Sequence, residues 1–403
     1  MKILIISQYH LPEMGAAAIR WSDYARILSD KGHQVTVICE IPNYPNGVIP
    51  MEYRKKRYVI EKNTTNSYTI IRVPVWANSR KTTFQRLGFY LSFMIVASSV
   101  AIRLPRFDFA IVSTPPLFVG IVGIFLQKSK RTPIIIDLRD LWPESAIVLG
   151  ELKSRILVSF GRWLEKKVYK IANRFFLAVP GFRGYLRNNF SFMCDKPTHD
   201  LLNGVSEEFI RCVDKYRSVV TEEFTVLYSG NIGLAQGLET VLEAAYRLKN
   251  KPIYFKIIGD GTQRLELEKM SREMKLNNIQ FIDPQHREDL IHSIQSSSIC
   301  LVPLVDSLLF RNAIPSKLFE YMACNKPVIV GISGEVESII EESNGGICVN
   351  PQDSDALANT ILDYYENDSI TKKVGQSGGA YVRKFFIKEE LLDSALKEIG
   401  DNL

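Results

Sequence analysis

The segment Arg311-Asn312-Ala313-Ile314-Pro315-Ser316-Lys317-Leu318-Phe319-Glu320-Tyr321-Met322-Ala323 sets a cation and a carboxylate three residues apart, just after a proline. Ser316 reads as the N-cap of a helix, which puts Lys317 in the first turn and Glu320 on the same face. A lysine at the positive end of a helix opposes the dipole, a small cost that makes sense if the ammonium meets a pyrophosphate. Glu320 could then accept from ribose hydroxyls. A surface ion pair at i,i+3 is the plainer reading of the same two residues.

A second cluster is Asp137-Leu138-Arg139-Asp140-Leu141-Trp142-Pro143-Glu144, with three carboxylates, an arginine and a tryptophan at the end of an apolar run. Such a cluster is costly to bury without a purpose. Arg139 could hold an anionic or polar group of an acceptor, and Asp137, Asp140 or Glu144 could orient or deprotonate a hydroxyl; a salt-bridged strand end is the alternative. Two small-residue loops complete the set. Ser7 to Ala18, containing Gly15 and Ala16, and Tyr228-Ser229-Gly230-Asn231-Ile232-Gly233-Leu234-Ala235-Gln236-Gly237 each stand between an apolar run and a helical pattern. Backbone amides there could cradle an anion. The second loop lacks Walker spacing and no Lys-Ser/Thr pair follows, which argues against a phosphate-transferring nucleotidase. Gly259-Asp260-Gly261 reads as a turn.

The elements that must position these residues are short β-branched runs alternating with helical-period segments, the pattern of parallel sheets built from β-α-β units. Candidate strands are Ile3-Ser7, Gln34-Cys39, Thr69-Val73, Phe109-Ser113 and Pro133-Asp137, then Thr225-Ser229, Ile253-Gly259, Ile279-Ile282, Ile299-Pro303, Pro327-Gly331 and Gly346-Val349. Thr198 to Arg217 holds no long helix, and a domain boundary is expected there. The expected fold class is α/β: two doubly wound Rossmann-like domains, residues 1–200 and 201–378, facing across a deep crevice that takes ligands at the carboxyl ends of both sets of strands. The length of 403 residues, 46% hydrophobic and 23% charged, supports two or three ordinary globular domains and excludes a small module or a disordered chain.

Six scattered cysteines lack the spacing of a zinc site or of a disulfide scaffold, and the five histidines are dispersed, so no metal site is expected. Ile3-Leu4-Ile5-Ile6 is too short for the apolar region of a signal peptide, which points to a cytoplasmic location. Leu87 to Ile102 carries no charge but is broken by Gly88, Ser92, Ser98 and Ser99. It reads as a helix buried on most sides, against a membrane segment. Residues 1–200 hold 29 Lys/Arg against 14 Asp/Glu, concentrated in Arg54-Lys55-Lys56-Arg57, Arg80-Lys81, Lys128 to Arg131 and Lys153 to Arg174. Interleaved with Phe84, Leu87, Phe89, Tyr90, Phe160 and Trp163, they suggest a face that sits on an anionic membrane surface. No nucleic-acid-binding motif accompanies the charge, so nucleic acid is not an expected partner.

With Pro42-Asn43-Tyr44-Pro45-Asn46-Gly47, these motifs resemble the retaining, nucleotide-sugar-dependent glycosyltransferases of the two-Rossmann-domain (GT-B) type. More narrowly, they are similar to bacterial L-N-acetylfucosaminyltransferases of surface-polysaccharide (capsule, O-antigen) synthesis. The resemblance implies that Glu320, the second glutamate of the family signature, contacts the donor ribose. Asn312 stands where the first glutamate belongs. Asn231 and Gln236 stand where an Arg and a Lys usually grip the diphosphate, with Lys317, aided by Arg311, as the replacement cation. Arg139 followed by Asp140 matches the place of a catalytic-site histidine. Gly15 and Ala16 lie near the transferred sugar, Gln285 to Arg287 along the base, and Gly230, Gly259, Asp260, Ser316 and Leu318 fall within the donor-binding motifs. The resemblance further implies a UDP-linked donor, L-FucNAc as its sugar, a polyprenyl-diphosphate-linked acceptor at the inner membrane face, and a tail, residues 379–403, returning to the first domain. No cofactor or metal is called for, because helix dipoles, amides and cationic side chains can stabilise the departing diphosphate. Another donor (UDP-GlcNAc, UDP-glucose, a GDP-sugar) and a non-catalytic sugar-nucleotide-binding scaffold remain as alternatives.

Overall fold

The computed structural model describes the chain apart from residues 14, 44–46, 55, 57, 63–67, 79–81, 151, 217–222, 308 and 401–403, and the side chains of 83 and 398–400. Of the positions singled out above, Met14, Tyr44, Pro45, Asn46, Lys55, Arg57, Arg80, Lys81, Arg217 and Leu403 lie outside the described residues. The rest forms two compact units, Met1–Leu202 with Leu392–Leu403, and Asn203–Leu391.

The first unit runs β1 (Lys2–Ile6), α1 (Ala16–Asp30), β2 (Gln34–Glu40), β3 (Val59–Lys62), β4 (Thr69–Val73), α2 (Thr83–Arg103), β5 (Phe109–Thr114), α3 (Val119–Lys130), β6 (Ile134–Leu138), α4 (Glu144–Val148), α5 (Arg155–Ile171), β7 (Arg174–Leu177), α6 (Phe182–Asn189) and β8 (Thr198–Asp200). Its sheet is ordered β3-β4-β2-β1-β5-β6-β7-β8, with β3 antiparallel to β4 and every other pair parallel. Strands covered on both faces need continuous apolar runs, and Ile3 to Ile6 and Phe109 to Val112 are fully buried.

The second unit runs α7 (Glu207–Lys215), β9 (Phe224–Ser229), α8 (Glu239–Arg247), β10 (Ile253–Ile258), α9 (Arg264–Glu273), β11 (Ile279–Ile282), α10 (Arg287–Gln295), β12 (Ile299–Pro303), α11 (Ser316–Ala323), β13 (Val328–Gly331), α12 (Glu335–Ser343), β14 (Gly346–Cys348), α13 (Ser354–Glu366) and α14 (Asp368–Phe385). Helix α15 (Lys388–Gly400) follows. The sheet order β11-β10-β9-β12-β13-β14 is the doubly wound order, all parallel. In such sheets the chain reverses direction of winding between β1 and β5, and between β9 and β12, and loops leaving the carboxyl ends there part to admit a ligand.

All eleven expected strands form, with ends shifted by a residue or two. Strands β3, β7 and β8 were not anticipated: each is four residues or fewer, and β3 is a half-exposed edge. Helix α7, capped by Ser206, whose Oγ accepts from Phe209 N at 3.2 Å, occupies part of the gap read as free of a long helix. Residue 379, the expected start of the tail, lies inside α14; the chain joins the first unit at Leu392. Helix α2 also departs from expectation. It starts on a reciprocal box, Thr82 Oγ1 accepting from Gln85 N and Gln85 Oε1 from Thr82 N. It then buries one stripe, Phe89, Phe93, Ala97 and Ala101, rather than most of its sides, leaving Phe84 74% and Ile95 61% exposed. By length and composition Phe84–Arg103 is apolar enough to cross a membrane.

The first unit is pinned by a buried ion pair. Arg20 on α1 donates from Nη2 to Asp137 Oδ1 at 2.8 Å, and Trp21 Nε1 donates to Asp137 Oδ2 at 2.8 Å. The same Nη2 reaches Leu201 O at 2.7 Å, just past β8. Asp137→Ala strands the Arg20 guanidinium without its counter-charge, which should cost about 3–5 kcal/mol in urea unfolding. A loss below about 1 kcal/mol would remove the pair from this role.

Candidate functional site

In the second unit the loop after β9 packs on the loop after β10 backbone to backbone. Gly230 N donates to Ile258 O at 2.9 Å and Ile232 N to Asp260 O at 2.8 Å. Gly259 has φ of 143°, and a Cβ there would stand 1.9 Å from Gly230 O. Only glycine fits such an approach. Asp260 uses its side chain locally, Oδ1 accepting from Gly261 N at 2.8 Å. Asn231 and Gln236 close on each other, Nδ2 to Oε1 at 3.3 Å, and Gly233 N also donates to Gln236 Oε1 at 3.1 Å. The loop is therefore ordered by its own amides and carries no charge of its own.

The charge arrives from α11. Its first residue is Ser316 itself, with Pro315 at the N-cap and no side-chain cap, so the expected Ser316 cap does not form. Lys317 still falls in the first turn. Its Nζ lies 3.8 Å from the centroid of the Tyr228 ring, and a Cβ on Gly230 would stand 3.0 Å from it. Tyr321, one turn on, fixes the helix to the loop: its hydroxyl accepts from Ser229 N at 2.7 Å. Burial pulls the Lys317 ammonium down to about 7, against the opposite pull of Glu320. No salt bridge to Lys317 forms among the described residues, so the i,i+3 ion pair is not made. A cation desolvated beside a glycine loop and left without a bonded counter-ion is suited to an anionic ligand.

The other donor-side residues divide. Glu320 and Asn312 are half-buried on the same stretch, Asn312 within a 3-10 turn. Arg311 is exposed and faces Asp306 at 3.7 Å, away from the role of second cation. Leu318 is fully buried, so its side chain is core and only its backbone can meet a ligand. Gln285 accepts from Ser293 Oγ at 2.8 Å, and Arg287 turns to Ser206 Oγ and the Phe209 ring, leaving backbone as what this loop can offer.

In the first unit Gly15 is the N-cap of α1, extended at φ −151°, with open space where a Cβ would sit, and Ala16 is exposed. The preceding loop is held by His10, whose Nδ1 donates to Leu11 O while Nε2 faces Tyr68 OH; burial pushes this imidazole down to about 4. The three carboxylates grouped by the sequence part company. Asp137 is wholly buried on Arg20, Trp21 and Ser113, so it is an anchor rather than a group open to a substrate. Glu144 is held by Arg162 at 2.9 and 3.3 Å. Asp140 is half-exposed, accepts from Leu141 N at 2.8 Å, and is pushed above the usual carboxylate range by burial. Arg139 spends Nε on Ser113 Oγ at 2.9 Å and Nη2 on Pro115 O, bracing the turn after β5 rather than reaching outward. Asp140 is thus the carboxylate of the three that no salt bridge among the described residues holds.

Sequence reasoning missed Tyr228 and Tyr321, which seat Lys317 and its helix, and the partners of Asp137. Tyr321 stood in the same motif at i+4 from Lys317, and that spacing was the available signal. Arg20 and Trp21 follow the small-residue loop, but nothing local links them to a carboxylate 117 and 116 residues away.

The family described as Glycosyl transferases group 1 matches residues 213–380, and the Glycosyl transferase 4-like domain matches residues 15–193. The chain is 25% identical over 413 residues to the putative colanic acid biosynthesis glycosyl transferase of Escherichia coli K12, covering 99% of this chain and 100% of that one. Sucrose-phosphate synthase from Thermosynechococcus elongatus superposes with a TM-score of 0.75 at 17% identity, with full coverage of both chains. Anabaena HepE, solved with UDP and glucose, gives 0.73 at 15%, also with full coverage of both. At these identities the likeness establishes the fold, two Rossmann-like domains of the GT-B type.

Lys317 should titrate near pH 7 when followed by NMR of labelled lysines. Because Glu320 supports the charged form, Glu320→Gln should lower that midpoint further. A midpoint in the usual lysine range would mean that the ammonium is solvated and not seated on Tyr228.

Proposed function

We propose, from the premise that the second unit matches the group 1 glycosyltransferases and the first the glycosyl transferase 4-like domain, that the chain transfers a sugar from a UDP-linked donor to a lipid-diphosphate-linked saccharide in bacterial polysaccharide synthesis. The observation that carries the donor half is Lys317, an ammonium without a bonded counter-ion beside the Gly230 loop. The donor diphosphate sits against Lys317 and the first-turn amides of α11, and Glu320 takes the ribose. The colanic acid relative supports a polysaccharide product, and the UDP and UDP-glucose complexes of HepE support the nucleotide. The motif resemblance favours L-FucNAc as the sugar, transfer with retention, and work at the cytoplasmic membrane face.

In this reading the acceptor hydroxyl oxygen bonds to the anomeric carbon as the bond to the diphosphate oxygen breaks on the same face. The hydroxyl proton passes to the leaving diphosphate. Lys317 and the first-turn amides of α11 absorb the charge that develops there, which is why a divalent ion is not required. Asp140 orients the hydroxyl, and Arg139 is a positioning residue that fixes the turn beside it.

Two experiments test this. Purified protein is incubated with a polyprenyl-diphosphate-linked saccharide and a panel of UDP- and GDP-sugars, with and without EDTA, and products are weighed by mass spectrometry. Transfer from one UDP-sugar, insensitive to EDTA, is expected; UDP binding without transfer from any donor would make the chain a binding scaffold. The second follows UDP-sugar affinity against pH. Below pH 7 Lys317 is protonated with or without ligand, so its contribution is constant. Above it, binding must take up a proton, and affinity falls by up to about tenfold per pH unit. Lys317→Ala should weaken binding about ten- to a hundredfold at pH 6 and flatten the decline; a steep decline retained in the variant would assign it to another group.

A further inference from the structure

Helix α5 is amphipathic towards two surroundings at once. Leu164, Glu165, Val168 and Tyr169 face inward. On the outer side Ile156 is 80%, Phe160 43% and Trp163 54% exposed, along one line of the helix. Beside that line stand Arg155, Arg162, Lys166, Lys167 and Lys170, all exposed, and the one acidic residue of the helix, Glu165, is buried. An apolar line next to a row of cations matches a molecule that is itself apolar along its length and anionic at one end.

The line does not end at the surface. Trp163 stacks on Phe160, centroids 5.7 Å apart at 27°, and Phe160 meets Phe118 at 6.5 Å. Phe118, only 5% exposed, stacks in turn on Tyr90 of α2 at 6.2 Å and 16°. The rings thus descend from solvent to Phe118 at the start of α3, with half-buried Tyr90 beyond it on α2. Phe118 closes the turn after β5, the same turn whose Pro115 carbonyl Arg139 holds. The body of α5 rests on the segment that carries Asp140: a Cβ on Gly161 would stand 3.2 Å from both Trp142 and Pro143. Arg162 also ties α5 to Glu144.

We propose that Trp163 and Phe160, backed by Phe118 and Tyr90, seat the hydrocarbon chain of the acceptor next to its diphosphate, with the α5 cations receiving that diphosphate. This rests on the lipid-diphosphate acceptor of the preceding section and gives it an address. Flat aromatic surface offers a flexible chain contact area with little side-chain ordering, and the cation row fixes which end of the lipid lies nearest Asp140. The exposed position of Phe160 and Trp163 is then a working surface, and the buried Phe118 is its inner stop.

The test compares acceptors with one saccharide diphosphate and chains of increasing length, assayed without membranes. In the parent protein, kcat/KM should rise about tenfold from the shortest chain to one long enough to span the rings. In the double variant Phe160→Ala, Trp163→Ala that ratio should fall close to one; both residues lie on the surface, so folding is not at stake. An unchanged ratio in the variant overturns the proposal. So does a variant that keeps the ratio but no longer floats with vesicles of anionic phospholipid, since the rings would then serve the bilayer. A binding readout separates this from failure of the acceptor reading. Titration with a saccharide-free prenyl diphosphate should shift tryptophan emission in the parent and not in Trp163→Phe. That shift without transfer to any lipid acceptor keeps the chain seat and rejects the acceptor; transfer without the shift rejects the seat.

Discussion

One buried carboxylate organises the first unit. Asp137 is at the carboxyl end of β6 with no exposure at all, and an isolated charge there would be untenable. It is tolerated because Arg20, Trp21 and Ser113 surround it with donors. The consequence reaches beyond the pair. Arg20 also holds the carbonyl of Leu201, so α1, β6 and the strand end of β8 are locked to one point. Ser113 Oγ serves Asp137 and Arg139 together, which transmits that fixed point to the turn after β5 and to the loop carrying Asp140. Loops at the reversal of winding must diverge to leave room for a ligand. They keep a defined geometry only if something beneath them is rigid, and here it is this pair.

The second unit solves the same problem with backbone instead of charge. Glycines at 230, 259 and 261 let two loops interlock through amides and carbonyls. Nothing in that arrangement compensates Lys317. A structural charge is surrounded by partners, as Asp137 is, whereas Lys317 is desolvated and seated on a ring, with no salt bridge to it among the described residues and Glu320 favouring its charged form. The contrast between Asp137, wholly buried and satisfied, and Lys317, half-buried and without such partners, marks Lys317 as the candidate binding group.

The fold was largely legible because two-sided burial forces apolar runs onto parallel strands, and such runs are visible in any window. The strands that escaped are those with little to bury: β8 spans three residues, and β3 alternates half-exposed and exposed positions on an edge. Helix α2 was misjudged for a related reason. Hydrophobicity says that a segment prefers to leave water, but not what receives it, and only a single stripe of α2 meets the protein core. The candidate site was legible where its residues share one stretch: Pro315 to Ala323 forms the helix start that brings Lys317 to the Gly230 loop. It was misread where a local cluster is split by direction: Asp137 and Asp140 are three residues apart, yet one points into the sheet and the other stays half-exposed beyond its end. Side-chain direction at the end of a strand depends on partners supplied from α1, which no local pattern records.

The absence of charge on the Gly230 loop then has a physical consequence. A diphosphate gripped by arginine would meet a cation that stays charged at any pH the protein survives. Here Asn231 and Gln236 use their side chains to order the loop, and charge comes from a lysine whose desolvation brings it to the point of losing its proton near neutrality. In the proposed donor site ligand charge and lysine charge would be coupled, because an anion draws the proton that stabilises its own binding. In the proposed reaction, once the diphosphate had departed the ammonium would revert to a group that the site holds only weakly in charged form. The same burial that makes Lys317 a strong partner for a bound anion therefore favours its return to a neutral state once the site is empty.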